Sequence, residues 1–128
     1  MTGFSSPNIL VRTSDGHNVT LAEPMTFIRP FNVGGERVTV PVGATSDGAS
    51  IPRQAWDLLP PFGPYWRAAV LHDYLYRDTD RPKDECDLIF FEAMLALGVE
   101  LSLARVIYNA VDQFAGAAFS KDRQERSA

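Results

Sequence analysis

An imidazole, a carboxylate and a phenol, all capable of acid–base chemistry, lie together in the run Leu71–Tyr76 as His72, Asp73 and Tyr76. In a helix, His72 and Tyr76 share one face because they are four residues apart, whereas Asp73 points about a quarter-turn away. Such a helix presents an imidazole that can accept a proton, a phenol that can support it, and a carboxylate that can meet a loop or an ion. This helix is therefore the expected centre of any functional site.

A second carboxylate, Asp87, falls on the predicted buried face of the following helix. Phe90, Phe91 and Met94 follow it at spacings of three, four and seven residues. A buried carboxylate is costly unless it is paired, and the short connection between the helices makes His72 the available partner. We expect Asp87 to bond Nδ1 of His72 and to leave Nε2 as a general base. The alternatives are a buried pair that only satisfies itself and an Asp87 rotated to the rim.

Asp73 and the loop residue Asp47 are candidate ligands for a hard cation. Gly48 follows Asp47 and lets the backbone turn a carbonyl toward a cation, and Ca²⁺ prefers such a mixture of oxygen ligands. The simpler interpretation of Asp73 is an exposed acid paired with Arg77, contributing roughly 0.2–0.5 kcal/mol. A zinc site is less favoured, because the chain has two histidines and no metalloprotease helix motif.

Other residues that invite a functional interpretation have simpler ones. The aromatic and apolar run Trp56–Trp66 could border a lipid-facing pocket, although core packing is the commoner fate of large apolar residues. Ser50 lacks a nucleophile-elbow sequence and is interpreted as a turn residue. Cys86 is the lone cysteine, so no internal disulfide can form, and we expect it to be a small core residue.

Composition predicts one globular domain spanning residues 1–128. The chain is 45% hydrophobic, and its formal net charge of −4 argues against nucleic-acid binding, which needs clustered Lys and Arg. Residues 1–42 contain short β-branched or apolar runs between turn signals, and these predict strands over Ile9–Val11, Val19–Leu21, Met25–Ile28 and Val38–Val40. Hairpins are expected to turn at Asp15–Gly16 and Gly34–Gly35. Residues 43–63 are rich in Gly and Pro, which predicts a loop with a possible cation-binding turn and at most a short helix.

The pattern of residues 64–119 predicts a three-helix core. Together with the N-terminal antiparallel hairpins that pack on it, this core makes an α+β fold. Asp80 is a candidate N-cap with Pro82 just inside the second helix, and Gly98 stands where a glycine stop belongs. Residues 120–128 are polar and are expected to fray. The three helices are predicted over Pro64–Arg77, Pro82–Leu97 and Leu101–Phe119.

Two runs, Ser46–Pro52 and His72–Tyr76, resemble a family of small phage and bacterial proteins classed as a domain of unknown function. That resemblance covers most of the chain and implies a phage or prophage origin, but it names no activity. Because Met1–Ser6 has neither a charged region nor an apolar run, we expect no signal peptide or spanning helix. The expected location is the host cytoplasm, a phage particle, or both.

His72, Asp73 and Tyr76 also resemble the His-Asp-x-x-Tyr motif of the calcium-dependent secreted phospholipase A2 superfamily, especially its prokaryotic branch. In that superfamily the following antiparallel helix supplies an Asp to the catalytic His, and Asp87 is the matching candidate. The order of these parts agrees from Asp47 to about residue 116. The resemblance implies a helical core like that of the phospholipases, with a His–Asp site that hydrolyses phospholipid.

The same resemblance implies that Ca²⁺ is held by Asp73, Asp47 and the Gly48 carbonyl. The chain departs from the superfamily in having Ala69 and Ala49 where cysteines are expected, and its N-terminal strands have no counterpart. One hypothesis is therefore a phage-associated, calcium-dependent phospholipase that acts on an envelope membrane. The rival is a non-catalytic virion component, such as a tail, baseplate or connector protein, whose partners are other virion proteins. A third keeps the site but gives it another envelope substrate, and the oligomeric state stays open.

Overall fold

The computed structural model describes residues 2–6, 11–13, 19–46, 51–58 and 65–127. Within these ranges the fold is α+β, with small antiparallel sheets at the N-terminal end and helices after them. None of the described helices is both long enough and apolar enough to cross a bilayer. The strands are β1 (Gly3–Phe4), β2 (Val11–Thr13), β3 (Val19–Leu21), β4 (Met25–Ile28), β5 (Arg37–Val40) and β6 (Thr45–Ser46).

The described strands form two three-stranded antiparallel sheets, ordered β1–β4–β5 and β2–β3–β6. Every predicted strand that the structure describes is present, and β2 and β3 pair as the first predicted hairpin requires. Its turn, Asp15–Gly16, lies outside the described residues. The second turn is not the expected two-residue one, because a 3-10 helix, Phe31–Val33, precedes Gly34 and Gly35. Both glycines have positive φ, at 94° and 63°.

The described helices are α1 (Arg53–Trp56), α2 (Trp66–Asp78), α3 (Lys83–Ala96), α4 (Leu101–Phe114) and α5 (Gly116–Ser127). The three-helix prediction was wrong, because four longer helices follow α1. The predicted last helix breaks at Ala115, where Gly116 has a low helix propensity, and α5 then packs on α2. The expected frayed tail is therefore largely helical, since residues 120–127 belong to α5.

The helix ends agree in part with the sequence analysis. The Asp80 cap was wrong: α3 begins at Lys83, and the preceding Pro82 is extended at φ −62° and ψ 154°. The glycine stop was right, because Gly98 has a φ of 93° directly after the last turn of α3. The helix bounds thus follow the fixed φ of proline and the conformational freedom of glycine.

The core lies between the helices and the two sheets. β6 contacts α2 and β1 contacts α3, so each sheet is joined to the helical layer by a different strand. A bidentate ion pair crosses one of these boundaries, with Arg29 Nε 2.8 Å and Nη2 2.9 Å from the two carboxylate oxygens of Glu92. The predicted core position of Cys86 is confirmed, and burial raises the pKa of its thiol to about 11.

Candidate functional site

The candidate site is built on α2 and α3, which are joined by residues 79–82. His72 Nε2 lies 2.8 Å from Oδ1 of Asp87, and both side chains are fully buried. The predicted partnership is therefore confirmed, but the predicted atom was wrong, because Asp87 meets Nε2 and not Nδ1. Nε2 is the ring nitrogen farther from the α2 backbone, so it is the one that reaches across to α3.

Tyr76 and Lys83 complete the surroundings of the Asp87 carboxylate. The Tyr76 hydroxyl donates to Oδ1 at 2.6 Å, and the Lys83 ammonium donates to Oδ2 at 2.7 Å. Burial alone raises the pKa of the Asp87 carboxyl, but the hydrogen bonds from His72, Lys83 and Tyr76 outweigh it and hold the pKa below its usual value. Burial, and next the bond to Asp87, raises the pKa of the Tyr76 phenol. Asp87 is therefore an ionised acceptor and Tyr76 a neutral donor.

This arrangement assigns the proton on the imidazole. An ionised carboxylate can only accept hydrogen bonds, so Nε2 of His72 is the donor in this contact. In the tautomer that donates from Nε2, Nδ1 carries the lone pair that can accept a proton. The ring contacts two aromatic neighbours, with centroid distances of 4.1 Å to Tyr76 and 4.8 Å to Phe90. The arrangement has the elements of a general base with an anionic orienting partner.

Lys83 is a site residue that the sequence analysis missed. Its ammonium also donates to the carbonyl oxygens of Val111 at 3.3 Å and Asp112 at 3.2 Å, so it connects α3 and Asp87 to the end of α4. The signal was available, because Lys83 and Asp87 are separated by one helical turn on the same face.

Arg123 was also missed, and no local pattern points to it. Its guanidinium on α5 donates to the carbonyl oxygens of Tyr76 at 2.7 Å, Leu75 at 3.2 Å and Arg81 at 2.5 Å. Nearby, the Phe119 ring meets Tyr76 edge-on, with centroids 5.1 Å apart. Helix α5 therefore covers the end of α2 that carries Tyr76.

Asp73 is not the exposed partner of Arg77 that the simpler interpretation required. Its side chain is only 1% exposed, and Oδ2 accepts a hydrogen bond from the Ser46 hydroxyl at the end of β6. Arg77 donates instead to the Thr45 carbonyl oxygen at 3.1 Å. A buried carboxylate next to a hydroxyl supplies the oxygen donors that suit a calcium ion.

The other predicted calcium ligands, Asp47 and Gly48, lie outside the described residues, although Ser46 immediately precedes them. Among the residues that the structure does describe, no three His, Cys, Asp or Glu side chains cluster as metal ligands. Ser50, His17 and most of the Trp56–Trp66 run also lie outside the described part, so their interpretation stays as predicted. Trp66 itself is half-buried against the core.

The fold and site define an α+β protein with a buried His–Asp–Tyr cluster between two helices. A family model described as "Protein of unknown function (DUF1353)" matches residues 19–111, and the chain belongs to this DUF1353 family. The matched range contains α2, α3 and most of α4, and it ends before α5. The resemblance to a domain of unknown function is therefore confirmed.

Two curated relatives come from Sinorhizobium fredii. The chain is 38% identical over 79 residues to "Uncharacterized protein y4jT", which is 60% of this chain and 24% of that protein. It is 40% identical over 75 residues to "Uncharacterized protein y4iH", which is 54% of this chain and 30% of that protein. The chain thus spans less than a third of the length of these relatives. No solved structure matches, and these comparisons show no link to the phospholipase A2 superfamily.

Proposed function

We propose that the chain is a phage-associated ester hydrolase whose His–Asp site acts on envelope phospholipid in the manner of a phospholipase A2. The observation that carries this proposal is the 2.8 Å contact between His72 Nε2 and Asp87 Oδ1, joined by the Tyr76 hydroxyl. The likeness between His72, Asp73 and Tyr76 and the superfamily's motif supports the choice of substrate class. An acid on the following helix that meets the histidine is a further match in arrangement.

In the proposed reaction, Nδ1 of His72 takes a proton from a water molecule while the water oxygen attacks the ester carbonyl carbon. Asp87 stabilises the imidazolium that forms, and the Tyr76 hydroxyl holds the carboxylate in place. The imidazolium then gives the proton to the alkoxy oxygen of the ester as the single bond between that oxygen and the carbonyl carbon breaks. The products are a fatty acid and a lysophospholipid.

Calcium is the proposed cofactor, held by Asp73, Asp47 and the Gly48 carbonyl. The burial of the Asp73 carboxylate and the oxygen donor of Ser46 beside it fit a hard cation. When bound there, the ion would supply positive charge for the substrate phosphate and for the oxyanion. Asp73 directly follows His72 on α2, and this neighbouring position supports the proposal that the ion and the base act on the same substrate.

A second candidate function is a non-catalytic part of a phage particle, in which the same cluster holds α2, α3 and α4 together. A specific observation favours it: His72, Tyr76 and Asp87 are all 0% exposed, and Lys83 already compensates the carboxylate. Substrate would have to reach Nδ1 through a rearrangement of the surrounding helices, whereas a structural role needs none.

Fatty-acid release from phosphatidylglycerol vesicles, with calcium and with chelator, separates the two functions. Wild type should release fatty acid only with calcium, and His72→Gln should abolish release while keeping its fold by circular dichroism. Arg105→Ala, an exposed change on α4, is the matched control and should retain full activity. Calorimetric titration with calcium alone should show binding that Asp73→Asn removes. Folded wild-type protein that releases nothing and binds no calcium would support the structural candidate.

A further inference from the structure

The outer edge of β5 carries main-chain groups that point away from the sheet. The Ser5 N–H donates to the Thr26 carbonyl oxygen at 3.1 Å, so the Thr26 backbone faces β1. Thr26 is opposite Thr39 in the register, and backbone direction alternates along antiparallel strands, so the Thr39 N–H and C=O face away from β4. Arg37 lies two residues before Thr39, so its N–H and C=O also face away from β4.

That edge has no partner within the described ranges of the chain. β5 is the end strand of its sheet, and none of the backbone hydrogen bonds of the described residues reaches the outward groups of Arg37 or Thr39. An open edge of this kind is a template for one more strand, and proteins normally cover or charge it. Here the only charge on β5 is that of Arg37.

A cleft of about 550 Å³ opens at the Arg37 end of this edge. Phe31, at its border, is 93% exposed, an unusual position for a large aromatic side chain. Arg29 is already neutralised by Glu92, whereas none of the ion pairs among the described residues includes Arg37. The cleft thus combines an apolar ring, an uncompensated guanidinium and an open strand edge. Its lining residues are Ile28, Arg29, Phe31, Gly34, Gly35 and Arg37.

We propose that β5 and this cleft form a docking site for an extended segment of a partner protein that carries an acidic side chain. The segment adds to β5 as a fourth strand through the main-chain groups of Arg37 and Thr39. Its carboxylate pairs with the Arg37 guanidinium, and a neighbouring apolar side chain contacts Phe31. This site is remote in sequence from the His72 cluster, and the proposal does not depend on the hydrolytic function.

Charge favours a foreign segment over a second copy of β5. The β5 sequence, Arg37–Val40, contains one basic residue and no acidic one, so two copies of β5 paired with each other would supply no carboxylate for Arg37. An acidic segment of another protein supplies both the strand and the charge. A small anion could satisfy the guanidinium but would leave the strand edge open.

Three short peptides test the proposal. Each alternates threonine and valine, and they differ only in the central residue, which is aspartate, asparagine or lysine. We expect the aspartate peptide to bind at least about tenfold more tightly than the others, as a charge-assisted hydrogen bond implies. Binding should slow hydrogen exchange at the Arg37 and Thr39 amides. Arg37→Glu should reverse the preference toward the lysine peptide, whereas Arg105→Glu, an equal charge change on α4, should not.

A pair of substitutions at one position tests the strand addition separately. Thr39→Pro removes the outward N–H that a bound strand would use, so it should weaken binding by about tenfold. The fold should persist, because proline is tolerated in an edge strand at a position whose N–H points away from the sheet. Thr39→Val removes the hydroxyl contact with Thr26 but keeps the N–H, so it should bind as wild type does. Failure of every peptide to protect these amides would overturn the proposal. Two other results would also overturn it. One is self-association of the chain that Thr39→Pro abolishes, and the other is binding to anionic vesicles but to no peptide, lost in Phe31→Ala.

Discussion

His72 and Asp87, fifteen positions apart in the chain, are joined through Nε2 and Oδ1 at 2.8 Å. The contact uses the ring nitrogen farther from the α2 backbone, so the carboxylate on α3 determines which nitrogen carries the proton. The second oxygen of Asp87 belongs to Lys83, which continues to the carbonyls at the end of α4. One carboxylate therefore connects three helices, and its removal has consequences for both stability and protonation.

Asp87→Ala should destabilise the fold strongly. The change leaves His72, Tyr76 and Lys83 without the acceptor that they share, and removing one partner of a buried ion pair costs about 3–5 kcal/mol. Urea unfolding followed by circular dichroism measures this free energy. Asp84→Ala, at an exposed position in the first turn of α3, is the control and should cost much less. A loss below about 1 kcal/mol for Asp87→Ala would contradict the network's importance.

Acid should weaken the fold through Asp87. Its pKa is lower in the folded chain than in the unfolded one, so its contribution to stability is complete above the unfolded value and disappears as the pH falls through the folded value. The unfolding free energy should therefore fall below about pH 4. Asp87→Asn cannot ionise and should show a flatter acid limb, measured by urea unfolding at several pH values. Parallel curves of unfolding free energy against pH for wild type and Asp87→Asn would exclude Asp87 as the source of the stability lost in acid.

The part of the fold that follows local rules could be predicted from sequence. β3 and β4 have the expected bounds because turn residues delimit their β-branched and apolar runs. Gly98 marks the end of α3 as expected, because glycine readily adopts the positive φ that stops a helix. The low helix propensity of Gly116 favours a break at Ala115, but that local preference alone could not predict it. It depends on α5 turning back to place Phe119 against Tyr76, which is a contact between distant parts of the chain.

The candidate site shows the same division. Asp87 was identified because a carboxylate on an apolar helix face needs a partner, and the nearest helix offered His72. The choice between Nδ1 and Nε2 depends on how far apart the helices lie, which sequence spacing does not contain. Ser46 as the partner of Asp73 depends likewise on the contact between β6 and α2.

The ion pair between Arg29 and Glu92 should behave as a coupled unit. Glu92→Met leaves a buried guanidinium without its bidentate acceptor, and Arg29→Met leaves a buried carboxylate, so each should cost about 3–5 kcal/mol. The double substitution removes both charges and should recover most of that loss, although Glu36 also loses one of its arginine partners. A double-mutant cycle in urea gives the coupling free energy. Additive losses would show that the two residues act independently.

Arg123→Met should loosen α5 more than the rest of the chain. The guanidinium donates to three carbonyl oxygens, those of Tyr76, Leu75 and Arg81, and bonds from a charged donor contribute about 1.5–3 kcal/mol each. Arg123→Lys keeps the charge but lacks the planar fork, so it should restore only part of the stability. Hydrogen exchange of the α5 amides measures the effect, and it should rise before exchange in α3 does. Equal protection of α5 in wild type and Arg123→Met would show that Phe119 alone holds the helix on α2.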